Sequence, residues 1–165
     1  MIRRLLPADV PALARLHLRS WQIAFRGVVP DSYLDRLSIE QYVAMWSRIA
    51  ADPDSRRVTW IGEWRSRIAG YCAVGPTRER SEPTKTGEVY GIYLAPEFFR
   101  HGFGTALLRR GEETLRECGY RHAALWVLVK NRNARDFYEA NGWGSSGVTI
   151  SRSIGREIRY VRSLI

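Results

Sequence analysis

At 165 residues, 45% hydrophobic and 12% aromatic, the chain is long enough for one domain with a sizeable core (1–165) and short for two. No apolar run reaches membrane-spanning length, and Met1-Ile2-Arg3-Arg4-Leu5-Leu6-Pro7 lacks the apolar stretch of a secretion signal, so a cytoplasmic protein without a membrane partner is expected. The net charge is +9, but the 26 basic residues, all Arg except Lys85 and Lys130, are scattered and form no block, which argues against nucleic acid and suits an anionic small-molecule ligand.

Ile2 to Leu6 reads as a short strand. Pro7 and Asp9 then open a helix whose apolar positions Val10, Leu13, Leu16, Trp21 and Ala24 recur at helical spacing up to Gly27. Asp31 to Leu37 fits a short helix. Ser38 and Gln41 have capping-box spacing before an apolar face of Val43, Trp46 and Ile49, stopped by Asp52-Pro53-Asp54. Val58 to Gly62 and Ile68 to Val74 read as a hairpin with a polar connection, Glu63 to Arg67. Gly75 to Thr86, with two prolines and mixed charges, reads as an exposed, mobile loop.

Glu88 to Leu94 is an apolar strand ended by Pro96. After Gly102 an amphipathic helix buries Leu107, Leu108, Gly111 and Leu115, carries Glu112 and Arg116 as an i,i+4 pair, and ends at Cys118-Gly119. Ala123 to Val129 reads as a buried strand and Asn131 to Asn141 as a short helix. Val148 to Ile150 and Glu157 to Arg162 close the chain as a hairpin through Gly155. Cys72 and Cys118 have no CxxC partner and no His cluster, so two buried, reduced thiols and no metal site are expected.

The turn Phe99-Arg100-His101-Gly102-Phe103-Gly104 delivers a strand into a helix, where free amides and the positive helix end together suit a diphosphate. It is neither a dinucleotide fingerprint, since Leu107 stands where the third glycine would be, nor a nucleotide-triphosphate loop, which needs Gly-Lys-Ser/Thr. Strand, turn, helix and strand, followed by Asn131-Arg132-Asn133-Ala134-Arg135-Asp136-Phe137-Tyr138-Glu139-Ala140-Asn141-Gly142-Trp143, resemble the GCN5-related N-acetyltransferases over essentially the whole chain. Phe99 departs from that family's turn, which opens on Gln or Arg.

This resemblance implies an α/β fold: a mixed, twisted sheet of six or seven strands with helices on both faces. It implies acetyl-CoA as cofactor, its diphosphate on the amides of Arg100, His101, Gly102, Phe103, Gly104 and Thr105. The pantetheine arm would lie against Ile92, Tyr93 and Leu94 and face Asn131, Asn133, Ala134 and Phe137. Tyr138 matches the family's tyrosine near the cofactor sulfur and is the candidate acid. From spacing alone Phe137-Tyr138 reads equally as a packing pair. Glu88 is the candidate base, directly or through water, sharing a strand face with Tyr90 and Ile92 if the strand is regular; an ion-paired or surface role is the alternative.

The run from Trp21 to Pro30 resembles a bacterial branch that includes polyamine and small-amine acetyltransferases, which makes Phe25, Arg26 and Tyr33 candidate acceptor contacts, with Trp21 and Trp46 read as core. The expected reaction is acetyl transfer to a primary amine, the acceptor a small molecule or a peptide. A protein acetyltransferase and a non-catalytic acyl-CoA-binding module remain as alternatives, and exposed strands near the C-terminus offer a homodimer edge. His17, His101 and His122 have no triad spacing; His17 and His122 read as structural.

Overall fold

The computed structural model describes residues 1–52, 55–79 and 85–165. Seven strands form a single sheet: β1 (Ile2–Arg4), β2 (Val58–Trp64), β3 (Arg67–Pro76), β4 (Thr86–Leu94), β5 (His122–Leu128), β6 (Gly144–Arg152) and β7 (Gly155–Ser163), in the order β1-β2-β3-β4-β5-β7-β6. The first four pair antiparallel. β4 and β5 pair parallel because a helix crosses between them, and β7 runs antiparallel to β5 along its whole length.

Alternation along the strands sorts two cores. Ile61, Tyr71 and Ala73 point to one face, under α1 (Val10–Ala24) and α3 (Ile39–Ala51); Trp60, Cys72, Val74 and Val89 point to the other, under α4 (Phe103–Glu117) and α5 (Arg132–Ala140). A short α2 (Asp31–Leu34) sets Leu34 beside Phe25 and Leu128. No helix among the described residues is long and apolar enough to cross a membrane. The mixed sheet with helices on both faces is as expected from the sequence.

Local signals held where they had a chemical basis. The Ser38–Gln41 box forms, Gln41 N donating to Ser38 Oγ (3.3 Å) and Ser38 N to Gln41 Oε1 (3.4 Å). Several details differ. Pro7 to Asp9 is a separate 3-10 turn before α1, and the β2–β3 connection shrinks to Arg65 and Ser66, both at positive φ (47° and 61°). Glu112 does not pair with Arg116: its carboxylate accepts from Trp143 Nε1 (2.8 Å) and pairs with Arg162 Nε (3.5 Å), while Arg116 Nε donates to the Leu164 carbonyl (2.7 Å). Burial explains the change, since a carboxylate on the inward face of α4 needs donors from the core. Cys72 is buried as expected, but Cys118 is exposed at the end of α4. Of the proposed mobile loop, 80–84 lie outside the described residues, as do Pro53 and Asp54 of the helix stop.

Candidate active site

The site is a gap in the sheet. β4 and β5 pair at Thr86↔His122, Gly87↔Ala123 and Glu88↔Ala124 and nowhere further on, so Val89–Leu94 and Leu125–Leu128 leave that ladder unpaired. The divergence coincides with a bulge in β4. Val74 faces Val89 but Ala73 faces Gly91, so Tyr90 is an extra residue that bends the strand. The bulge also corrects the face expected for Glu88. Tyr90 and Tyr93 pack on the α1–α3 core and Ile92 on the α4–α5 core, so Glu88 and Tyr90 share a face and Ile92 does not.

On the α4–α5 side the gap ends at the turn before α4. Arg100 and Gly102 are both left-handed, with φ of 61° and 80°, and successive amides in such alternating backbone converge on one side. Gly102 O accepts from Ala106 N (3.0 Å), while the amides of Arg100 to Thr105 have no hydrogen-bond acceptor among the described residues. Six free amides at the positive end of a 15-residue helix fit a diphosphate without help from side chains. Phe99 projects into solvent, 49% exposed. Gly104 is where a side chain would intrude: a Cβ there would lie 3.1 Å from the Phe137 ring and 3.4 Å from Leu94, so Leu94, Gly104 and Phe137 form one wall.

α5 closes the opposite wall. Asn131 caps it, Oδ1 accepting from Ala134 N (3.2 Å), so this part of the amide is already engaged; Asn133 lies exposed on the first turn. Ala134 and Phe137 pack on the core, and Tyr138 is buried between Phe137 (ring centroids 5.4 Å), Trp143 (6.2 Å) and Tyr160 (6.3 Å). Its hydroxyl makes no hydrogen bond among the described residues. Burial, then the neighbouring Tyr93 and Cys72, push the phenol far above its ordinary range, so it keeps its proton at neutral pH.

On the α1–α3 side, Glu88 is 2% exposed and held by Arg78: Arg78 N donates to Oε2 (2.8 Å), Nε to Oε1 (2.9 Å), and Nη2 also to Oε1. A carboxylate offers about four lone-pair directions, which leaves one on Oε2. Tyr90 donates to the Pro76 carbonyl, and burial followed by the Glu88 charge pushes its phenol up to about 12. Ser20 Oγ donates to the Leu94 carbonyl (3.1 Å), tying α1 to the end of β4.

Around Tyr93 stands an aromatic cluster with no sequence spacing to announce it. His17 lies 5.0 Å from Tyr93, 5.2 Å from Tyr71 and 4.6 Å from Tyr42 between ring centroids, and its Nδ1 accepts from Trp46 Nε1 (3.2 Å). Burial lowers His17 to about 3, so it is neutral with its proton on Nε2. Of the expected acceptor contacts, Phe25 is more enclosed than expected at 6% exposure, packed on Trp21 (4.5 Å) and facing Tyr93 (6.5 Å). Tyr33 is half-buried. Arg26 points outward to Asp31 and Asp35. Sequence reasoning missed Arg57, Arg78, Tyr42 and Tyr71, which converge only through the sheet.

A family model described as the acetyltransferase (GNAT) family matches residues 12–143. An uncharacterised N-acetyltransferase of Bacillus subtilis, YuaI, is 30% identical over 80% of this chain and 73% of its own. The spermidine N(1)-acetyltransferase of Thermoplasma acidophilum is 22% identical over 86% of each. Among solved structures, PaiA N-acetyltransferase of Thermoplasma acidophilum in complex with coenzyme A superposes with a TM-score of 0.82 at 18% identity, covering 99% of this chain and 98% of that one.

Proposed function

The chain belongs to the acetyltransferase (GNAT) family, whose acyl donor is acetyl-CoA, and from that premise we propose that it acetylates a small primary amine by direct attack in a ternary complex. The observation that carries this reading is the gap itself. Its open backbone lies between a diphosphate turn on the α4–α5 side and an enclosed aromatic cluster on the α1–α3 side, so donor and acceptor reach it from opposite faces.

Bound acetyl-CoA supplies an acetyl thioester whose carbonyl carbon takes the amine and whose sulfur leaves. Arg100 to Thr105 hold the diphosphate through their amides. The open strand backbone of Ile92 to Leu94, with Asn131, Asn133, Ala134 and Phe137, orients the arm. A backbone amide freed by the splay stabilises negative charge on the carbonyl oxygen. Tyr138 holds its proton at neutral pH and gives it to the departing sulfur. Glu88 takes the amine's proton through a water on the free lone pair of Oε2, while Arg78 fixes the other three directions.

The burial of Phe25, with Tyr93 half-buried beside it, favours a small acceptor over a folded protein surface. Calorimetry with CoA, followed by a thiol-release assay over amines and peptides, tests the reading. Absence of CoA binding removes it, and turnover restricted to peptides replaces the small-molecule acceptor.

A further inference from the structure

The α1–α3 face of β4 holds a cation that makes no ion pair among the described residues. Arg57 stands just before β2, its guanidinium carbon 4.8 Å from the Tyr90 ring centroid and 5.8 Å from that of Trp46. Its Nε is closed to solvent and makes no hydrogen bond, and no carboxylate pairs with Arg57 among the described residues. Stacking on two rings offsets part of the cost of burial but leaves the Nε–H unsatisfied.

Its neighbours sharpen the imbalance. Arg78 approaches the same Tyr90 ring at 5.1 Å, but its charge is met by Glu88. His17 adds no charge, because Trp46 donates to its Nδ1. Tyr42, Tyr71 and Tyr93, pushed upward chiefly by burial, hold their protons. Among the described residues, Glu88 is taken by Arg78 and the more distant Glu157 by Arg152, so Arg57 is left with no direct ion pair. The buried indole N–H of Trp21 approaches the Tyr93 phenol without reaching good hydrogen-bond geometry.

From the unpaired Arg57 beside the Glu88 carboxylate, we propose that the acceptor is an aminocarboxylate, a small molecule bearing both the reacting amine and a carboxylate that pairs with Arg57. This rests on the reading of the α1–α3 face as the acceptor side. An ammonium drawn toward Glu88 and a carboxylate drawn toward Arg57 match the two signs of charge the cluster presents. The planar guanidinium fork is shaped for two parallel bonds to a carboxylate. A polyamine, the acceptor named for the Thermoplasma relative, would bring a second cation against Arg57 and Arg78, and the charge balance here selects against it.

The test compares matched acceptors in a thiol-release assay: phenylalanine with phenethylamine, methionine with 3-(methylthio)propylamine, β-alanine with ethylamine. The wild-type protein is expected to favour the carboxylate member of at least one pair about tenfold or more in kcat/KM. Arg57→Gln should cut that ratio about tenfold, and Arg57→Lys, which keeps the charge and loses the fork, should restore part of it. Melting temperature and CoA affinity of both variants report whether they fold. Equal or better turnover of the decarboxylated amines, a ratio that Arg57→Gln leaves unchanged in a folded protein, or turnover of no pair by protein that binds CoA overturns the proposal. Failure to bind CoA is a different result: it removes the acetyl-transfer reading beneath it as well.

Discussion

The two faces of the sheet meet at one gap but are built on different principles. On the α4–α5 side the proposed cofactor surface is backbone: amides of a left-handed turn, a glycine that leaves room, a strand edge freed by divergence. On the α1–α3 side it is side chain, with His17, Tyr42, Arg57, Tyr71, Tyr90 and Tyr93 contributed by five segments far apart in the chain. A surface made of backbone tolerates changes in side-chain identity, which is why Phe99 can stand exposed at the start of the turn. A surface made of side chains changes its ligand with each substitution.

The sharpest way to break the contrast is to put a side chain where the backbone surface needs none. Gly104→Val would drive a branched Cβ into Phe137 and Leu94, and CoA affinity should fall about tenfold or more, a loss of at least about 1.4 kcal/mol of binding. Titration calorimetry with a melting curve as control measures it; affinity within threefold of wild type in a folded variant would move the cofactor off this wall. The one side chain assigned to chemistry on this half is Tyr138. Tyr138→Phe keeps the buried ring and removes the proton, so kcat should fall about 10²-fold and CoA affinity much less. Unchanged kcat across the amine panel would leave Tyr138 a packing residue.

The difference between the faces also explains what the sequence made readable. The turn from Phe99 to Gly104 and the segment from Asn131 announce themselves because a helix entry and a helix cap are local, and local geometry needs particular residues at fixed offsets. The β4 bulge at Tyr90 was invisible, because nothing in Val89-Tyr90-Gly91 distinguishes it from a regular strand; the face of Ile92 was misjudged for that reason. Arg57 was unreadable in another way. It follows Arg56 in a polar stretch and gains meaning only when β2, β3 and β4 carry it beside Tyr90. Glu112 failed similarly: the i,i+4 rule pointed to Arg116, and long-range burial directed it to Trp143.

Glu88 tests whether the acceptor face does chemistry as well as recognition. Glu88→Gln keeps the shape and an acceptor for Arg78 but cannot take a proton at neutral pH. We expect kcat/KM to drop about tenfold or more, less than the usual 10²–10⁴ of general-base catalysis because water can carry part of the task. Arg78→Gln, which frees the carboxylate from its guanidinium partner, should lower the rate less. If Arg78→Gln costs as much as Glu88→Gln, with the same pH profile, the pair works as a structural latch and the base lies elsewhere.

The smallest expected effect concerns stability and asks how closed the aromatic cluster is. His17 is neutral in the fold with its pKa near 3, and the ordinary unfolded value is about 6.5. Between those values the unfolded chain binds a proton that the native chain does not, so stability rises with pH across that window and is fully present above about 6.5. From pH 7 to pH 5 this one group should remove about 2 kcal/mol, the free energy of protonating an unfolded imidazole while the native one stays neutral. Arg57, close enough to oppose an added charge on His17, acts in the same direction as burial. His17→Gln keeps an acceptor for the Trp46 indole and cannot titrate, so urea unfolding at the two pH values should show a smaller loss in the variant, by about that amount. An identical loss in both proteins would mean that the imidazole titrates freely in the native state, and that water reaches the side of the gap where the acceptor is proposed to bind.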